Sequence, residues 1–196
     1  MLAARLYTGP LFQKYNSVLR FYAAKNEDGS VRTEYSDTDA VPFLQKKCGL
    51  LNLGVWKPVG GGVRWQWDNT YTTTIHAINS VVVKMSRLSK IKPLYRGWTD
   101  ATLPKSFFEA DGMGVKGGVE SAFMSTTLQR EVAMGYAAGD SSRTGIVIEV
   151  QQGMVNRGAD ISWLSQYPHE AEILFGPLTG IEVLNTRIDG SVVVIE

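Results

Sequence analysis

The sequence predicts an α+β fold in which helices gather first and a sheet follows. Before about residue 90, apolar residues recur at spacings of three and four, the period of a helix face. After residue 92 the chain breaks into short β-branched or alternating runs separated by turn residues. The 196 residues contain no internal repeat or low-complexity segment and suffice for one large domain, or one domain with a small extension. The expected division is a helical region over 1–90 and a sheet-bearing core over 91–196, together forming one compact unit.

In order along the chain, LFQKYNSVLRFY places Phe12, Tyr15, Leu19 and Tyr22 on one helical face. Pro10 suits its first turn, and Thr8 is a candidate cap. KNEDGSVRTEYSDTDAVP is polar and turn-rich, hence loop. VPFLQKKCGLLNL reads as a short helix, and KPVGGGVRWQWDN as a loop. TTTIHAINSVVVKMSRLSK puts Ile75, Ile78, Val82, Met85 and Leu88 on one face, with Thr72 to Thr74 as candidate caps and Pro93 as the stop. Lys84, Arg87, Lys90 and Lys92 cluster near its end, where cations meet the helix dipole on a solvated face. PLYRG, ESAFMST, GIVIEVQ, EILFGP, GIEVLNT and SVVVIE then read as strands. TLQREVAMGYAA reads as a helix between two of them, with Leu128, Val132 and Tyr136 turned inward.

Composition excludes several classes. Lys plus Arg number 20 against 19 Asp plus Glu, so bulk charge does not point to nucleic acid. No apolar run approaches the roughly 20 residues that span a bilayer. MLAARLYTGP shows no signal-peptide core, and the lone Cys48 fits a reducing compartment, so a cytoplasmic setting is expected. His76 and His169 are far apart and lack partner cysteines, so no metal site is expected. Gly60 to Gly62 lack the phosphate-loop pattern, and no nucleophile elbow occurs. Oligomeric state is left open.

Three short patterns carry chemistry. Leu94-Tyr95-Arg96-Gly97 puts an arginine near a strand end, Phe123-Met124-Ser125-Thr126-Thr127 puts hydroxyls at the end of another, and Glu170-Ala171-Glu172 opens a third. Each alone has an ordinary explanation: a surface charge, a helix cap, two solvated carboxylates. On a strand, period two would put both glutamates on one face. The combination, in this order on three strands, resembles the arginine-specific mono-ADP-ribosyltransferases with their Arg, Ser-Thr-Ser-like and Glu-x-Glu motifs. GGVESAFMSTT with REVAMGYA is similar to that family's central strand and helix. DISWLSQYPHEAEILFGPLTGIEVL is similar to its substrate loop and catalytic strand. The likeness covers about residues 90 to 185. LYTGPLFQKYNSVLR and YTTTIHAINSVVVK also resemble the helical region that precedes the domain in some relatives. Thr127 stands where many members have a second serine.

The resemblance implies two packed, mostly antiparallel sheets, NAD⁺ as co-substrate, and transfer of ADP-ribose to arginine side chains of a protein with release of nicotinamide. An NAD⁺ glycohydrolase using water, and a non-catalytic nucleotide- or partner-binding domain, are the alternatives. Arg96 would grip phosphate oxygens in a two-pronged fork. Gly97 would let the backbone approach the nicotinamide amide. Ser125 would fix the rotamer of Glu172, and Thr126 and Thr127 would support the pocket. Glu172 would meet the nicotinamide-ribose hydroxyl and stabilise the developing cation. Glu170 would orient and help deprotonate the acceptor guanidinium. Tyr136 is either a core residue or a ring of the nicotinamide pocket. Trp163 and Tyr167 would touch the target protein. Lys116 is either a phosphate contact or a solvated loop lysine.

Overall fold

A computed structural model describes residues 1–26, 28–33, 35, 56–58, 65–67, 69–99, 102–138 and 145–196. The expected helix over VPFLQKKCGLLNL and the Gly60 to Gly62 run lie outside these residues. The chain groups into two compact units, Leu2–Ile78 and Asn79–Glu196, the latter joined by Met1.

The first unit opens with α1 (Leu2–Tyr7) and α2 (Phe12–Ala23). Thr8 does not cap α2: its hydroxyl donates to the Arg5 carbonyl (2.9 Å) at the end of α1, and Leu11 precedes α2 without a side-chain cap. The buried face of α2 carries Tyr15 and Val18, whereas Phe12 and Tyr22 are exposed. Tyr15 packs edge-on against Tyr71, ring centroids 5.3 Å apart. A turn follows in which Asp28 Oδ1 accepts from the Ser30 amide (2.9 Å) and hydroxyl (2.6 Å). KPVGGGVRWQWDN is not simply loop. Trp56–Pro58 (β1) and Trp65–Trp67 (β2) pair antiparallel, in keeping with the strand preference of tryptophan.

The unit boundary falls inside α3 (Thr72–Ser86). Ile78 and Val82 are buried, as the helical spacing requires, but Leu88 lies beyond the helix and is exposed. No helix among the described residues is long and apolar enough to cross a membrane.

The second unit is built on one seven-stranded sheet. Its strands are β3 (Leu94–Thr99), β5 (Met124–Thr127), β6 (Gly145–Val150), β7 (Ala159–Asp160), β8 (Glu172–Phe175), β10 (Thr186–Asp189) and β11 (Val192–Ile195). They lie in the order β10-β11-β6-β3-β5-β8-β7, antiparallel throughout except that β11 runs parallel to β6. A separate antiparallel pair joins β4 (Gly117–Glu120) to β9 (Thr179–Glu182). Strand alternation explains the layers. Ile146, Ile148 and Ile195 pack with Phe107 and Ile181 on one face of the sheet. Val147, Val192 and Val194 pack on the other face against Ala133 and Ala137 of α4 (Arg130–Ala137). The central strands are therefore covered on both sides, and each buried Val or Ile contributes about 1.5–3 kcal/mol.

The inward face of α4 differs from the expected one. Ala133 and Ala137 are buried, while Tyr136 is 56% exposed. Small side chains win that face because the helix sits close on the sheet. A Cβ on Gly97 would lie 1.9 Å from the Ala133 carbonyl oxygen, and one on Gly145 2.1 Å from that of Ala137.

Candidate active site

The sheet that carries the three motifs opens at its centre. β3 pairs with β6 at six successive positions but with β5 only at Tyr95–Thr127. Past Tyr95 the two strands are no longer paired, and Arg96 reaches across the opening this leaves. Its Nη1 donates to the Ser125 carbonyl (3.1 Å), and its guanidinium lies over the Trp98 ring, 4.6 Å from the centroid. That stacking holds a long cation in place. The three sequence motifs do not include Trp98, although an Arg-x-Trp step on a strand puts both residues on one face.

Across the opening, β5 and β8 are fully paired. Ser125 stands opposite Leu174 and diagonal to Glu172. Its hydroxyl donates to Glu172 Oε1 at 2.6 Å. Glu172 is only 6% exposed. Burial pushes its carboxyl above the ordinary 4.5, and the Glu170 charge adds to this; the Ser125 hydrogen bond and the Arg96 charge oppose it. Arg96, Ser125 and Glu172 thus converge on one opening, as a buried acid held by a hydroxyl within the field of a cation.

Glu170 is placed differently from expectation. It is not on a strand with Glu172 but ends a 3₁₀ turn, Pro168–Glu170. Ala171 follows in the left-handed region at φ 46°, and β8 begins at Glu172. Pro168 sets the turn, and the left-handed residue redirects the chain into the sheet. The two carboxylates still sense each other, as the upward push on Glu172 requires. The Thr127 hydroxyl donates to the Glu170 carbonyl (2.6 Å) and accepts from the Gln129 amide (3.0 Å), so one side chain ties this turn to the start of α4. Thr126 faces away: it is buried, and its hydroxyl donates to the Ile173 carbonyl (2.8 Å). Gly97 has a structural reason to be glycine in the seating of α4.

Tyr136 extends from the exposed side of α4, and its hydroxyl donates to Glu170 Oε1 at 2.6 Å. That hydrogen bond, with burial and the charges of Glu170 and Glu172, pushes the phenol up to about 12, so it remains a donor at neutral pH. Trp163 and Tyr167 lie on the loop before Glu170, 58% and 45% exposed. Asp160 Oδ1 accepts from the Ser162 amide (3.1 Å), and Ser165 Oγ from the Tyr167 amide (2.9 Å), which gives that loop its shape. Lys116 is exposed. No cluster of potential metal ligands occurs among the described residues. A cleft of about 840 Å³ lies elsewhere, lined by Val82, Met124, Phe175 and Ile181 but by none of Arg96, Ser125 or Glu172.

Solved structures share this architecture. Vis from Vibrio splendidus, an ADP-ribosyltransferase in complex with the M6 inhibitor, superimposes with a TM-score of 0.58 at 20% identity, covering 98% of this chain and 68% of that one. Vis in complex with agmatine gives 0.55 at 20% identity, with 98% and 70% covered. Exoenzyme S from Pseudomonas aeruginosa, in complex with human 14-3-3 protein beta and bound to carba-NAD, gives 0.54 at 17% identity, with 98% and 70% covered. The fold is that of the ADP-ribosyltransferases. No protein-family model matches the chain, and no curated protein matches it. The ADP-ribosyltransferase fold accounts for both the mostly antiparallel sheet and the helices that precede it.

Proposed function

We propose that this chain is a mono-ADP-ribosyltransferase that moves ADP-ribose from NAD⁺ to an arginine side chain of a protein and releases nicotinamide. One observation carries the reading: the buried Glu172 carboxylate, held by the Ser125 hydroxyl at 2.6 Å, sits at an opening that Arg96 spans. NAD⁺ supplies an electrophilic ribose carbon whose bond to nicotinamide is ready to break. Arg96 suits its phosphates, since a guanidinium keeps its charge and offers a planar fork. Glu172 supplies negative charge where positive charge develops on the ribose, a type of aid worth roughly 10²–10³ in rate. The nicotinamide bond breaks with its electron pair leaving on the ring nitrogen. A guanidinium nitrogen then bonds to the freed carbon and passes its proton to the Glu170 carboxylate.

Glu170 favours arginine as the acceptor. A free guanidinium stays protonated at neutral pH, so an attacking nitrogen needs a carboxylate that orients and deprotonates it, whereas water needs no guanidinium-orienting carboxylate. Vis in complex with agmatine, a guanidinium compound, is consistent with this reading. Exoenzyme S bound to carba-NAD supports the dinucleotide, and its complex with 14-3-3 protein beta bears on protein partners. The exposure of Trp163 and Tyr167 supports a contact with the protein substrate.

The test is labelled NAD⁺ with and without agmatine. Label on agmatine is expected; free ADP-ribose alone would make the chain a glycohydrolase, and no turnover would make it a binding domain. Glu172→Gln is expected to remove both products. Glu170→Gln should remove transfer and retain some hydrolysis, and persistent transfer in that variant contradicts the role given to Glu170.

A further inference from the structure

We propose that Tyr136 is a positioning residue for Glu170, and that its hydroxyl sets how the site divides its product between transfer and hydrolysis. The inference rests on the transferase reading above and adds to it a residue that governs acceptor choice.

Each of the two carboxylates has its own hydroxyl. Ser125 holds Glu172 Oε1 at 2.6 Å, and Tyr136 holds Glu170 Oε1 at 2.6 Å. Glu172 is buried, so its surroundings also confine it, but Glu170 ends a short turn and is only half-buried. A glutamate there would otherwise sample several rotamers, and an acceptor nitrogen needs a carboxylate in one place. The backbone on both sides of the contact is already fixed. Thr99 donates its hydroxyl to the Tyr136 carbonyl, and Thr127 donates its own to the Glu170 carbonyl. The side-chain bond between Tyr136 and Glu170 completes that frame.

The chemistry of the donor matters. A phenol is neutral, so it orients the carboxylate without cancelling the charge that a guanidinium must find. It occupies Oε1, and a carboxylate accepts through both oxygens, which leaves Oε2 for a planar N–H donor. Tyr136 is 56% exposed, so its hydroxyl can be removed with little effect on the core. Its loss loosens Glu170 and not Glu172, and therefore acts on acceptor choice.

The experiment measures label on agmatine and free ADP-ribose for the wild-type chain and Tyr136→Phe. The ratio of transfer to hydrolysis is expected to fall about tenfold, through KM for agmatine and not for NAD⁺. Phe keeps the ring, so a tyrosine that only packs against nicotinamide leaves the ratio unchanged. A folding defect lowers both products alike and also leaves it unchanged. Either result overturns the proposal. In a Glu170→Gln background the same substitution should change nothing further. Absorbance titration of tyrosine gives a readout without turnover: Glu170→Gln should bring one high ionisation back towards 10.0, and an unchanged titration overturns the contact. Wild-type protein that yields neither product overturns the transferase reading and this inference with it. Wild-type transfer with an unaltered ratio in the variant overturns this inference alone.

Discussion

Glu172 concentrates the competing forces at the scale of one residue. Burial raises its carboxyl and Glu170 adds to that, while the Ser125 hydrogen bond and the Arg96 charge oppose the rise. The reaction needs the anion, so the acid limb of kcat/KM should lie above the ordinary 4.5. Ser125→Ala removes a donor that lowers the value, so that limb should move to still higher pH, with a loss of roughly 10–100-fold in kcat/KM. A pH-rate profile checks this; a limb that stays in place or moves down contradicts the role of Ser125. At this scale the sequence is only partly legible. Arg96, Ser125 and Glu172 are visible as motifs because each needs one residue type. The turn under Glu170 is not, since Glu-Ala-Glu before an apolar run imitates strand alternation and nothing in Ala171 announces a positive φ. The Tyr136–Glu170 and Arg96–Trp98 contacts depend on which way side chains leave two separate elements.

Among the elements, α4 decides the geometry of the site, because it carries Tyr136 and begins just after Thr127. Its seat is made by small residues on both surfaces, Ala133 and Ala137 over Gly97 and Gly145. Gly97→Ala would drive a methyl group to 1.9 Å from the Ala133 carbonyl, a backbone atom that cannot swing aside. The expected cost is about 1–3 kcal/mol or more, read as a lower urea midpoint at unchanged slope. A variant as stable as wild type would mean that the helix does not sit this close. Apolar spacing suggests Leu128, Val132 and Tyr136 as the inward face because large residues dominate a periodicity reading. Close helix-to-sheet contact favours alanine instead, and alanine gives a weak signal.

For the molecule as a whole, two features stand out: the sheet open between β3 and β5, and a charge network towards its other edge. Arg130 pairs with Glu149 (3.2 Å) and Asp189 (2.6 Å), and Arg187 pairs with Glu149 (2.8 Å). Burial pushes Glu149 up, but the hydrogen bonds from Arg187 and Arg130 outweigh it and hold the carboxyl below its usual value. A lowered value means stability that is present above the ordinary 4.5 and is lost as pH falls through the folded value. The side chains of the network are 20–50% exposed, so solvent and salt screen it in part, and Glu149→Gln should cost about 1 kcal/mol at neutral pH and less in high salt. Thermal melts at two salt concentrations check this, and a larger, salt-independent loss contradicts a surface network. The α+β class and most of the strands are legible because their cores are β-branched runs. β1, β2, β4, β7 and β10 are not, being short, glycine-rich or polar, as with the exposed Thr186–Asp189.

The central claim is that Arg96, Ser125 and Glu172 frame one dinucleotide site. Calorimetric titration with carba-NAD, an analogue that resists cleavage, tests it without turnover. The account predicts one site per chain, with binding at least about tenfold weaker in Arg96→Ala, since a charged hydrogen-bonding partner of the phosphates is lost. No binding to the wild-type chain, or equal affinity in the two proteins, would contradict it.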